Sequence, residues 1–92
     1  MSTESSISIS NRGFAQPPLA YACAQLAKTH GLSPRETEVF LLLARGRNAK
    51  YIQQKLFISL YTAKSHKARI FQKLGVHSTQ EMLDLIDMLL EA

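Results

Sequence analysis

From Pro18 onward the apolar positions recur at helical spacing, and the pattern is broken at Gly31, Gly46, Phe57–Ser59 and Gly75. Leu19, Ala22, Cys23, Leu26 and Ala27 share one face of a first segment that Gly31 can close. Ser33-Pro34-Arg35-Glu36 has the form of a capping box with proline at the first helical position. The helix it opens presents Val39, Leu42 and Leu43 inward and ends before Gly46. Asn48 then caps a short helix holding Ile52 and Leu56. A tight connection through Phe57 and Ile58 leads to Ser59, a further N-cap residue. The helix from about Leu60 to Leu74 buries Ala63, Ile70 and Leu74, with Gly75 as its stop. Ser78-Thr79-Gln80-Glu81 is a second capping box, and its helix runs almost to the last residue. No Val/Ile/Thr-rich alternation of useful length competes, so the pattern predicts an all-α fold.

Residues 1–17 do not join this pattern. They are Ser-rich, include Pro17 and show only a brief Ile7/Ile9 alternation, so they read as a flexible N-terminal tail or linker. Residues 18–30 form an accessory helix, and residues 31–92 form a single small domain. Within that domain two consecutive helices, 48–56 and 60–74, are separated by about three residues, the spacing of a helix-turn-helix.

Charge sharpens this picture. Residues 39–80 hold Arg45, Arg47, Lys50, Lys55, Lys64, Lys67, Arg69 and Lys73 and no acidic residue. Residues 77–92 reverse the sign, with Glu81, Asp84, Asp87 and Glu91 and no Lys or Arg. The formal net charge of +4 therefore understates a basic middle joined to an acidic end. A cationic surface on a small scaffold suits a polyanion, since each cation placed on a phosphate releases condensed counterions. The second of the paired helices carries Lys64, Lys67, Arg69 and Lys73, so it is the one expected in a DNA groove.

Other chemistries find little support. His30, His66 and His77 are far apart with no Cys or carboxylate at ligand spacing, so no metal site is expected. Cys23 is the only cysteine and falls on an apolar helix face, which makes it a core residue and not a nucleophile. No Gly-rich phosphate loop or catalytic constellation is present, and neither an enzyme nor a cofactor is inferred. The N-terminus lacks the basic start and apolar run of a signal peptide, and Val39–Ala44, the longest apolar run, is too short to span a membrane. A chain with one cysteine suits a reducing cytoplasm.

Leu32-Ser-Pro-Arg-Glu36, Glu38-Val39, Gly46, Lys50, Ile52, Leu56-Phe-Ile-Ser59, Thr62, Lys64, His66, Ile70 and Lys73-Leu-Gly-Val76 resemble the LuxR-type (GerE-like) DNA-binding domain of bacterial transcription regulators. The match covers roughly Gly31 to Leu89 without a gap. The resemblance implies a four-helix domain whose third helix, about residues 60–74 here, enters the major groove, and whose fourth often makes a dimer. The chain departs from the family pattern at Ala63, where Val is usual, at Leu60-Tyr61, which replace a common Pro-Lys type pair, and at Tyr51, which replaces a usual Glu. The helix over 19–30 lies outside the common domain. Members usually carry a sensory part as well; none fits within the first 30 residues, so either a fragment of a larger regulator or a stand-alone regulator is expected.

A helix in the major groove exposes a stripe at about i, i+1, i+4 and i+5, which Lys64, Ser65, Ala68 and Arg69 satisfy. By resemblance, Lys64, Ser65 and Ala68 approach base edges, and Thr62 and His66 meet phosphate. Lys67 and Arg69 have the reach for phosphate on either flank, and Lys50 can touch the backbone from the preceding helix. Lys73 reads as charge complementing the C-terminal end of the helix dipole. On the last helix Met82, Ile86 and Leu89 can pack on the domain, which leaves Leu83, Met88 and Leu90 for solvent or a partner. Homodimerisation through this helix follows the family, and RNA polymerase is a further partner the resemblance admits. The competing reading is a protein-interaction adaptor that sets the basic helix against an acidic protein. Membrane-surface binding fits poorly, because the apolar face of the basic helix is already used by the core.

Overall fold

The computed structural model describes residues 18–91, so the expected tail over 1–17 lies outside the described residues. Five helices follow one another: α1 (Pro18–His30), α2 (Pro34–Ala44), α3 (Ala49–Leu56), α4 (Leu60–Leu74) and α5 (Thr79–Leu90). No strand occurs among the described residues.

The caps are those the sequence prescribes. Ser33 Oγ accepts from the Glu36 amide at 3.1 Å while Glu36 Oε1 accepts from the Ser33 amide at 2.9 Å, closing the capping box of α2. Asn48 Oδ1 accepts from the Tyr51 amide, Ser59 Oγ from the Thr62 amide and Ser78 Oγ from the Glu81 amide. The Glu81 carboxylate accepts from the His77 amide rather than from the cap residue itself. At their C-termini, α1, α2 and α4 turn through Gly31, Gly46 and Gly75 in the left-handed region. The end of α3 is different, since the residue with positive φ is Phe57 (φ 56°).

These ends let the helices fold back around one core. Phe40, Ile52, Ile70, Met82, Ile86, Val39 and Cys23 are fully buried at its centre. The expected inward residues Val39 and Leu43 are buried, while Leu42 and Leu56 are only partly so. Phe40, one position off the expected stripe of α2, is the residue that fills the middle.

α1 is more than an accessory to this core. It packs against α2 and α5 and touches α4, burying Ala22, Cys23, Leu26 and Ala27. The most extensive helix contact of α5 is with α1. Leu83, expected to face outward, is instead partly buried and packed against the core, whereas Met88 and Leu90 are exposed.

Candidate nucleic-acid interface

α3 and α4 are joined by Phe57, Ile58 and Ser59 and pack extensively on each other. Ile58 tucks against the core, which anchors the turn. Ser59 closes a small network at the start of α4: its Oγ accepts from the Thr62 amide and donates to Thr62 Oγ1, each at 2.9 Å. Thr62 Oγ1 is thus used as an acceptor, and its own proton remains free to donate outward.

α4 has two faces. Ala63, Ile70 and Leu74 are buried, which fixes the helix by its inner side. Lys64, Ala68 and Arg69 are exposed, as is Lys50 on α3. Thr62, Ser65, His66 and Lys67 are partly buried. Lys64, Ser65, Ala68 and Arg69 therefore do share one accessible side, with Thr62 at its N-terminal margin. Lys67 lies to the side, its Nζ 5.5 Å from the centroid of the Phe71 ring.

Electrostatically this side has no internal counter-charge. Among the described residues, the carboxylates engaged in ion pairs are Glu36 and Glu38, with Lys73 and Arg35 as their partners, and Glu81 Oε1 lies 3.5 Å from His77 Nδ1. Lys50, Lys64, Lys67 and Arg69 pair with none of them, and no acid occurs between Val39 and Gln80. Their charge is left for an external anion.

Lys73 behaves differently from the other cations of α4. Its Nζ lies 2.8 Å from Glu36 Oε1 and 3.3 Å from the Gly31 carbonyl oxygen. Its main role is an ion pair inside the domain, in addition to any interaction with its own helix dipole. Burial pushes the Glu36 pKa up, but the Lys73 hydrogen bond, the Ser33 amide, the Lys73 charge and the Ser33 hydroxyl outweigh it. The carboxyl ends below its ordinary value.

One arrangement escaped the residue pattern. Arg47 sits with its guanidinium carbon 4.5 Å from the Tyr51 ring centroid, so the tyrosine holds a cation beside the start of α3. The i, i+4 spacing of Arg47 and Tyr51 was the available signal.

A cation-rich two-helix unit, capped by Ser59 and held by α2 and α5 through a common core, defines a helix-turn-helix domain. The family described as bacterial regulatory proteins, luxR family (GerE), matches residues 30–86, and the chain belongs to it. This is a family of DNA-binding transcription regulators and not of enzymes. Among similar proteins is the Fimbriae Z protein of Salmonella typhimurium, 47% identical over 53 residues, which are 58% of this chain and 25% of that protein. The oxygen regulatory protein NreC of Staphylococcus aureus is 43% identical over 53 residues, 58% of this chain and 24% of its own length. The matched segment thus spans about a quarter of these curated relatives. No solved structure matches the chain. No described helix is long and apolar enough to cross a membrane.

Proposed function

We propose that this chain is the sequence-specific, double-stranded-DNA-binding part of a bacterial transcription regulator, with α4 in the major groove and α3 across the backbone. The observation that carries this reading is the accessible side of α4, where Lys64 and Arg69 flank Ser65 and Ala68 with no acid to neutralise them. In this arrangement Lys64 donates to a guanine edge, Ser65 to either strand's acceptors, and Ala68 meets a thymine methyl. Thr62, with its free hydroxyl proton, His66, Lys67, Arg69 and Lys50 position the domain on phosphates.

Two copies joined through α5 would present paired helices to half-sites about one helical turn apart. Met88 is 69% exposed and Leu90 42%, and both are available to such a partner, with Leu83 at the margin of the same helix. The acidic residues of α5 keep that end away from phosphate and leave the basic side to DNA. The domain then comprises residues 31–92 with α1 as a structural part of its core, working in the cytoplasm.

Selection from a random duplex pool tests the reading. Enrichment of a two-fold-related motif supports both sequence recognition and dimerisation. Recovery of no motif, together with tight binding to an acidic protein, would replace it with the adaptor reading.

A further inference from the structure

Tyr61 is not among the residues that charge or family resemblance marks for DNA, yet the geometry of α4 singles it out. At about 100° per residue, Tyr61 points within about 20° of Ala68 and about 40° of Ser65. Its direction is nearly opposite the face formed by Ala63, Ile70 and Leu74, all of which are buried. Tyr61 therefore heads the same stripe as Ser65 and Ala68, one turn nearer the N-terminal end of the helix. In a helix-turn-helix that is the end from which side chains reach base edges.

The side chain is held ready rather than packed away. Tyr61 is 82% exposed, and its hydroxyl makes no hydrogen bond among the described residues. Its backbone is fixed by the capped first turn, where Ser59 binds both the amide and the hydroxyl of Thr62. A large, two-torsion aromatic on an ordered turn loses little conformational freedom on contact. Its neighbours on the helix are Lys64 and Ser65, and no acid lies within the stretch 39–80 to repel a phosphate. An acidic or apolar protein groove would also accept an aromatic, but alignment with the stripe around Lys64 favours DNA.

We propose that Tyr61 is a specificity-determining residue, its ring packing against a thymine 5-methyl group in the major groove beside the base pair met by Lys64 and Ser65. Apolar contact with this methyl is how side chains tell thymine from cytosine without a hydrogen bond. This inference rests on the proposed DNA-binding function and deepens it.

The test uses the full chain in a random-duplex selection, comparing the unmodified protein with Tyr61→Ala, Tyr61→Phe and Lys64→Ala. The thymine whose enrichment depends on Tyr61 is then replaced by deoxyuracil, which lacks only the methyl group. For the unmodified protein and Tyr61→Phe, binding should weaken about fourfold on loss of that methyl, as for one buried methyl group (~0.8 kcal/mol). Tyr61→Ala should bind the thymine and deoxyuracil duplexes equally, while Lys64→Ala keeps the discrimination. Because Tyr61 is exposed, unchanged helicity and melting will show that the variants remain folded. If Tyr61→Ala enriches the same motif with the same methyl dependence, this inference is overturned while DNA recognition stands. If the unmodified protein enriches no motif, both are overturned.

Discussion

Lys73 Nζ lies 2.8 Å from Glu36 Oε1, tying the last turn of α4 to the first turn of α2. Glu36 is only 3% exposed, and the same oxygen accepts the Ser33 amide, so one carboxylate serves a cap and a bridge together. The bridge holds α4 at the end opposite Ser59. It thereby fixes the tilt at which the exposed stripe of the helix is presented.

Removing the two partners should not be equivalent. Lys73→Met leaves a buried carboxylate with only the Ser33 donors and should cost about 2–3 kcal/mol. Glu36→Gln frees a lysine whose side chain is already 35% exposed and can hydrate, so its cost should be smaller. The pH dependence has a definite sign. Since the folded-state pKa of Glu36 is depressed, its contribution is full above the ordinary carboxylate range and is lost as pH falls through the folded value. Urea unfolding between about pH 7 and pH 3 should show a steeper acid decline in the unmodified chain than in Glu36→Gln. Parallel declines would remove Glu36 from the account of acid stability.

The cations of the accessible side should separate by salt. If Arg69 sits on phosphate, Arg69→Ala should weaken binding alike on all duplexes and reduce the slope of log affinity against log salt by about one. Lys64→Ala should cost about 1–3 kcal/mol on the preferred site and relax specificity at one position. Fluorescence anisotropy across a salt series on matched and mismatched duplexes measures both. Unchanged affinity and preference after Lys64→Ala would remove it as a base reader.

Much of this molecule is local in origin, and that part was readable in the residues. Caps such as Ser33 and Ser59 act over three positions, and helix faces repeat every three to four, so element order and the two-helix unit follow from short windows. Relationships across the chain were not accessible in the same way. The partner of Lys73 lies 37 residues away, and nothing near Lys73 marks it as paired. The pattern of α5 alone leaves Leu83 free, because a single helix cannot show what the other helices cover. The stripe geometry that brings Tyr61 into line was present in the sequence, but its 82% exposure was not. Phe57 was missed as a left-handed residue because glycine is the usual signal for that conformation.

The sole cysteine offers a readout of α1. Cys23 is 1% exposed, and burial pushes its thiol up to about 11 despite the opposing charge of Arg45. Reaction with a disulfide reagent near pH 8 should therefore be slow in the native chain and fast in urea. Leu26→Ala, which opens a cavity beside α2 and α5, should cost about 2–4 kcal/mol and raise the labelling rate accordingly. The raised pKa also means that the stability from keeping the thiol neutral is full below its unfolded value and lost as pH climbs toward 11. Rapid native labelling at neutral pH would show that α1 leaves the core readily.

Phe57 closes α3 with φ 56° and ψ 46°, in the left-handed region that α1, α2 and α4 give to glycine at their ends. The turn is bonded as those ends are, the Ile58 amide donating to the Gln53 carbonyl at 3.1 Å. For a residue with a Cβ this backbone costs roughly 1–2 kcal/mol. The ring does not offset it through packing, since Phe57 is 93% exposed. Phe57→Gly should remove the strain and lose almost no contact, against roughly 0.5–1 kcal/mol of added freedom in the unfolded chain. The expected result is a gain of up to about 1 kcal/mol, seen as a higher urea midpoint at constant slope. Phe57→Ala keeps the Cβ and should show no such gain, which separates backbone strain from loss of an exposed ring. If both variants lose duplex affinity while Phe57→Gly is stabilised, the aromatic is retained at a cost in stability for contact with the bound partner.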